Sequence, residues 1–153
     1  MQKEYKKILV AMDGSKESER ALKKAVHVAK RNDATLYIAH IVDMRAFETV
    51  SSYDETLATN AKKEADEALK QYIEYAHEHN FDKVETVIRI GVPKIVLSED
   101  LPKELGIDLI MLGATGLNAM ERILLGSVSS YVSIHAKSDV LVVRTDMDNK
   151  TIK

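Results

Sequence analysis

The sequence predicts an α/β fold: a five-stranded parallel sheet with helices on both faces. Five short strand-like runs, apolar, β-rich or alternating, at residues 8–12, 35–42, 84–90, 107–112 and 140–143, alternate with stretches of helical period. The first is apolar throughout and the fourth apolar but for Asp108, as strands are when both faces are covered. A βαβαβαβαβ order argues for a parallel sheet. Right-handed crossovers then leave two common strand orders, 3-2-1-4-5 and 2-1-3-4-5.

Each element has its own signal. Ile8, Leu9, Val10, Ala11 and Met12 stand between Lys7 and Asp13 and form the first strand. Residues 15–32 place Ala21, Leu22, Ala25, Val28 and Ala29 at helical spacing. Residues 35–42 are β-rich, and residues 43–54 are polar and read as a mobile loop. The longest helix covers residues 53–80, with Leu57, Ala61, Ala65, Ala68, Tyr72 and Ala76 on one face. Its other face is rich in Lys and Glu, a solvated surface. Residues 84–90 alternate as a third strand, and Gly91, Val92 and Pro93 turn into a helix with Pro93 at its first position. That helix ends near Gly106, before the fourth strand at 107–112. Residues 127–137 are helical, 140–143 form the fifth strand, and the polar tail from Thr145 is expected to fray.

A chain of 153 residues suits one domain, here 1–153 with a core at 4–144. Its 22 basic and 24 acidic side chains give a net charge of −2, with no sign of the basic face that nucleic acid or an anionic membrane would select. The absence of cysteine excludes disulfides, a thiol nucleophile and thiolate metal sites. The first residues lack a signal-peptide apolar region, and no apolar run approaches the ~20 residues that span a bilayer. The expected compartment is the cytoplasm.

The unusual residues gather at strand ends. In an open parallel sheet, ligands bind beyond the carboxyl ends of the strands, where the order reverses. With order 3-2-1-4-5 that crevice lies between strands one and four. Strand one ends in Met12, Asp13, Gly14 and Ser15; strand four ends in Leu112, Gly113, Ala114, Thr115 and Gly116; Gly126, Ser127 and Val128 open the next helix. Glycines allow φ > 0 and close backbone approach to a ligand. Successive amides and a helix N-terminus attract an anion. Ser127 would cap the helix or donate to a phosphate oxygen. Asp13 would accept from a ribose or adenine group, or help hold a divalent cation. Singly these are turn and cap residues; their shared placement defines a candidate ligand site.

Gly113, Gly116, Gly126 and Ser127 reproduce the pattern G-x2-G-x9-G-[S/T], which resembles the ATP-binding signature of universal stress proteins. The stretch 8–15, the stretch 37–41, Gly91 to Pro93 and the run 140–143 also resemble that family's strands, so the likeness covers about residues 4–144. It favours order 3-2-1-4-5, the Rossmann-like arrangement of adenine nucleotide alpha hydrolases. It implies ATP with Mg²⁺ or Mn²⁺ as cofactor, with Met12 and Asp13 at the nucleotide and Asp13 at the metal. The Ile41 main chain would pair with the adenine edge, Leu112, Gly113 and Gly116 would line ribose and phosphates, and Gly126, Ser127 and Val128 would hold phosphate. It also implies a homodimer through strand five, at Val140, Leu141, Val142 and Val143. Relatives often carry His or Arg where this chain has Thr115, so a positive phosphate contact is missing there; Asn118 and Arg122 are candidates to replace it.

Other residues read as structural. His40 is a hydrogen-bonded core residue; His27, His77, His79 and His135 show no convergent spacing with carboxylates. Tyr53, Tyr72 and Tyr75 are packing or surface residues, and Met111 and Met120 core and loop anchors. No general base is poised for phosphate chemistry, so the leading reading is a nucleotide-dependent regulator with at most slow hydrolysis. The alternatives are a related ATP-using enzyme, of nucleotidyl-transferase or pyrophosphatase type, and an interaction protein that binds no nucleotide. The stretch Met12 to Ser15 lacks both enzyme motifs (Ser-Gly-Gly-x-Asp-Ser and His-x-Gly-His). A phospho-acceptor receiver fails because strand three ends in Arg89, Ile90 and Gly91. A flavin carrier finds no tryptophan in the chain.

Overall fold

Ile8, Leu9 and Val10 have no solvent-exposed surface. They lie on β1 (Lys7–Met12), the middle strand of the sheet. The computed structural model describes residues 4–43, 45, 55–114 and 126–150. Among them follow α1 (Lys16–Asn32), β2 (Thr35–Asp43), α2 (Glu55–Glu78), β3 (Val84–Gly91), α3 (Pro93–Ile95), a π-helical turn (Val96–Asp100), α4 (Leu101–Leu105), β4 (Leu109–Gly113), α5 (Ser127–His135) and β5 (Asp139–Val143). The strand order is β3-β2-β1-β4-β5, and every pairing is parallel. This is the order the family resemblance favoured.

Alternation along the strands divides the core in two. Ile8, Val10, Leu36, Ile38, Leu109 and Met111 face α1 and α2, where Ala21, Leu22, Ala25, Val26 and Leu69 meet them. Leu9, Tyr37, Ala39, Ile110 and Leu112 face the other way, onto Val96, Leu97, Leu101 and Val132. Each large aliphatic side chain so buried contributes about 1.5–3 kcal/mol, and together they fix the sheet between its helix layers.

The helix after β3 is not continuous. Val92 precedes it and Pro93 opens it, as the sequence suggests. The turn then widens, so that the Leu101 amide donates to the Val96 carbonyl five residues back. Pro102 accounts for this. It has no N–H to donate and its ring crowds the carbonyl four residues before it, so the ladder loosens into a π turn. Gly106 ends the helix at φ 72°.

Two expectations need correction. The tail does not fray over its described part. Asp146 closes a turn by accepting from the amides of Asp148 and Lys150 through Oδ1, both at 2.9 Å. Lys24 of α1 ties that turn down through Thr145 Oγ1 at 2.6 Å and Asn149 Oδ1 at 2.9 Å. β4 begins at Leu109 rather than at Ile107, because Asp108 turns back to cap the amides of Lys6 and Lys7. Tyr53, most of the expected loop at 43–54, the Leu57 side chain and Met120 lie outside the described residues.

Candidate functional site

β1 and β4 pair only as far as Val10 and Met111. Beyond that point Ala11 and Met12 stay with β2, while Leu112 and Gly113 stay with β5. The two strands part, and a crevice opens at the place where the strand order reverses. A cavity of about 360 Å³ fills it, the lower end of the range for small-molecule sites. Met12, Asp13, Ile41, Leu112, Gly113, Ser127 and Val128 all line it. Gly126 stands one residue before that wall as the N-cap of α5. Gly116, with Thr115, Asn118 and Arg122, lies outside the described residues.

The floor comes from the turn between β1 and α1. Ser15 caps α1, its hydroxyl accepting from the Ser18 amide at 3.1 Å. The Ser18 hydroxyl donates to the Ser15 carbonyl at 2.9 Å. Asp13 Oδ1 accepts from the Ser15 amide at 2.9 Å. Gly14 sits at φ 84°, with open space where a Cβ would project. Among the described crevice glycines it is the one with a left-handed backbone. Burial pushes the Asp13 carboxyl upward, but hydrogen bonds from Ser15 and Ser18 outweigh it and hold it below the usual carboxylate range. Asp13 is thus both a turn residue and an ionised group on the cavity wall.

Gly113 and Gly126 were expected to need φ > 0. Neither has it: among the described residues the positive-φ glycines are Gly14 and Gly106. Gly126 is at φ −64°. Gly113 is required for another reason. A Cβ there would overlap the backbone carbonyl of Glu17 and come within 3.0 Å of the Ser18 amide nitrogen. Glycine at 113 lets the first turn of α1 lie against the end of β4. Ser127 is likewise not the cap of α5, since Gly126 occupies that position without a side-chain bond. This leaves the exposed Ser127 hydroxyl beside the first-turn amides of α5, which have no acceptor within the helix.

Ser129 is a site residue the sequence reading missed. It is 4% exposed, and its hydroxyl donates to the Gly113 carbonyl at 3.1 Å. It joins the start of α5 to the end of β4. Its signal was present, a serine two positions after the Gly-Ser pair, but its partner belongs to a separate element.

On the far wall, β2 runs three residues beyond its last pairing with β1, which joins Met12 to His40. Main-chain groups of Ile41, Val42 and Asp43 that face β1 therefore have no strand partner there. The Met12 carbonyl is held by His40 Nδ1 at 3.0 Å, so His40 is hydrogen-bonded as expected, but it is half-buried and lines the cavity rather than sitting in the core. A larger cavity, about 960 Å³, lies beyond the opposite ends of the strands. Two of its carboxylates are already engaged, Asp108 on two amides and Asp139 on the Tyr5 hydroxyl.

Outside the crevice, two histidine contacts form. His77 lies 3.8 Å from Asp82. His27 and His79 meet edge to face, 5.4 Å between ring centroids, and bridge α1 to the end of α2. No three described His, Asp or Glu side chains cluster as a metal site. A divalent cation fits this crevice only if phosphate oxygens supply most ligands and one or two carboxylates the rest, the usual manner of Mg²⁺.

Sheet order, parting strands and the capped turns at their ends define a doubly wound α/β protein with its site at the switch point. Residues 4–144 match the universal stress protein family, and the chain belongs to it. A family member from Staphylococcus haemolyticus is 48% identical over 142 residues, covering 93% of this chain and 86% of that one. The UspA structure from Lactobacillus plantarum superposes with a TM-score of 0.79 at 31% identity, covering 94% of this chain and all of the other. A universal stress protein solved in complex with cAMP superposes at 0.71 with 29% identity, over 92% of this chain and 98% of its own.

Proposed function

We propose that this chain binds ATP in the crevice between β1 and β4 and works as a nucleotide-dependent regulator in the stress response. The carrying observation is the parting of β1 and β4 beneath the N-terminus of α5, with Gly113, Ser127 and Val128 on one wall and Asp13 and Ile41 on the other. Amides of the α5 first turn and the Ser127 hydroxyl suit phosphate. Unpaired main chain near Ile41 suits the hydrogen-bonding edge of a base. Asp13 would help hold Mg²⁺ or Mn²⁺, which would screen the phosphate charge. The cAMP complex of a relative at 29% identity supports an adenine nucleotide as the ligand class.

Binding rather than rapid turnover is the proposed role. Among the described residues no helix is long and apolar enough to cross a membrane. We place the protein in the cytoplasm, as a dimer joined along β5. The direct test is a thermal unfolding scan with Mg-ATP. A ligand at a hundred times its dissociation constant adds about 2.7 kcal/mol of stability. The expected result is a rise in Tm that saturates with concentration; no rise at millimolar Mg-ATP would overturn the reading.

A further inference from the structure

We infer that His40 is a positioning residue for the crevice: by holding the Met12 carbonyl it fixes the place from which Asp13 meets a ligand. The geometry stands on hydrogen bonds within the chain. Its consequence for binding rests on the nucleotide-site reading above.

β1 ends at Met12, opposite His40 on β2. His40 Nδ1 lies 3.0 Å from the Met12 carbonyl oxygen. A carbonyl only accepts, so Nδ1 carries the proton, and Nε2 of the neutral ring is bare. The same peptide unit is held again at its opposite edge, where the Asp13 amide donates to Ser18 Oγ at 3.4 Å. Ser18 is 5% exposed, and its own proton goes to the Ser15 carbonyl. A peptide is planar, so one bond to its oxygen and one from its nitrogen fix the plane. The Asp13 Cα lies in that plane, and the carboxylate starts from there. Its far end is set by the Ser15 amide, which donates to Oδ1 at 2.9 Å.

The bonds with Ser15 and Ser18 are local, made within five residues of Asp13. They tie the turn to α1 and would let it rock with that helix. The bond from His40 comes from 28 residues away and ties the turn to the sheet. His40 is half-buried and borders two cavities, the crevice and a space of about 270 Å³ beneath α2. Its ring is therefore placed by this hydrogen bond more than by packing, and a smaller side chain with the same donor can replace it.

His40→Asn keeps a donor nitrogen on Cγ, where Nδ1 stood; His40→Gln moves the donor one carbon outward. The experiment is isothermal titration of the whole chain with Mg-ATP. His40→Gln should weaken binding at least about fivefold, the worth of one hydrogen bond, and His40→Asn less than about twofold. In an Asp13→Ala background the change His40→Gln should cost little further affinity, because the group it positions is gone. A merely structural role would lower Tm and leave the affinity of the folded chain unchanged. Imidazole nitrogen NMR above pH ~8, where the ring is neutral, should show the His40 proton on Nδ1, the signal being assigned by its loss in His40→Asn. A proton on Nε2 overturns the inference whether or not a nucleotide binds. Unchanged affinity in His40→Gln, an equal loss in His40→Asn, or full additivity with Asp13→Ala overturns it as well. If the unaltered chain binds no Mg-ATP, the nucleotide reading falls and takes the role in binding with it, while the place of the ring proton still shows whether His40 holds Met12.

Discussion

Ser129 donates its hydroxyl to the carbonyl of Gly113 at 3.1 Å, which fastens the first turn of α5 to the end of β4. The bond spans the segment joining those two elements, and Ser129 is almost fully buried. Ser129→Ala should lower the unfolding free energy by about 1 kcal/mol, the usual net worth of such a bond. It should also weaken Mg-ATP binding, because the α5 amides lose their fixed position. Urea unfolding and a Mg-ATP titration of the same variant check both. Unchanged binding would mean that α5 is held by other contacts.

The two crevice glycines should respond differently to alanine. At Gly113 the new methyl meets the backbone of α1, which cannot move aside as a side chain would. Gly113→Ala should cost about 1–3 kcal/mol from overpacking. At Gly14 there is room for the methyl, and only the left-handed backbone resists it, at about 1–2 kcal/mol. Adding valine's two further methyls should worsen position 113 sharply and position 14 less. Equal increments at the two positions, measured by chemical unfolding, would contradict this account. Replacements at Gly113 report on the fold before they report on a ligand.

His27 predicts a pH dependence of stability. Burial, then His79, Arg31 and Lys30, hold its imidazole below the ordinary histidine value of about 6.5. The unfolded chain therefore takes up this proton before the folded one does. Stability from this residue is complete above pH ~6.5 and falls as pH drops toward the folded value. Tyr75 stacks on His79 and Lys23 lies over Tyr75, so the cationic side chains near the pair also disfavour a second charge. His27→Gln should lose less stability between pH 7.5 and 5.5 than the unaltered chain. Parallel losses in urea titrations at the two pH values would remove His27 as the cause.

What the sequence revealed was what local pattern encodes. All five strands were legible because each is an apolar, β-rich or alternating run closed by Gly or charge. Pro93 and Gly106 marked the helix between β3 and β4 for the same reason. The π turn was not legible, because it depends on how the helix accommodates Pro102. The cavity-lining residues near Asp13 and Ser127 were found from spacing and resemblance. The reason for Gly113 was not, since it lies in the approach of α1, almost a hundred residues earlier in the chain. Ser129 escaped notice because a serine inside a helix gives no hint of its acceptor. Lys24, which holds the tail turn, bonds to residues 121 and 125 positions away.

The edge of the sheet gives the last prediction. Among the described residues β5 pairs with β4 alone, so its other side presents N–H and C=O groups with no strand partner among them. Neither Pro nor Lys interrupts residues 140–143 to discourage a second strand. Leu141 is 39% exposed, whereas Val143 is 5% exposed and packs in the α1 and α2 core. On α5, Ile134 is 75% exposed, a large apolar side chain left in solvent. A two-fold contact would pair β5 with its copy in antiparallel register and supply the missing hydrogen bonds on both chains at once. The described tail does not oppose this, since Lys24 draws its turn to α1. Leu141→Lys is the informative change: it charges the exposed position and leaves the core intact. Val143→Lys would bury a charge in the core and unfold the chain instead. Light scattering at tens of micromolar, on the order of usual solution work, should give twice the 17.1 kDa of one chain for the unaltered protein. The Leu141→Lys variant should give one chain's mass with its fold unchanged by circular dichroism. An unaltered protein that scatters as a single chain would overturn the dimer.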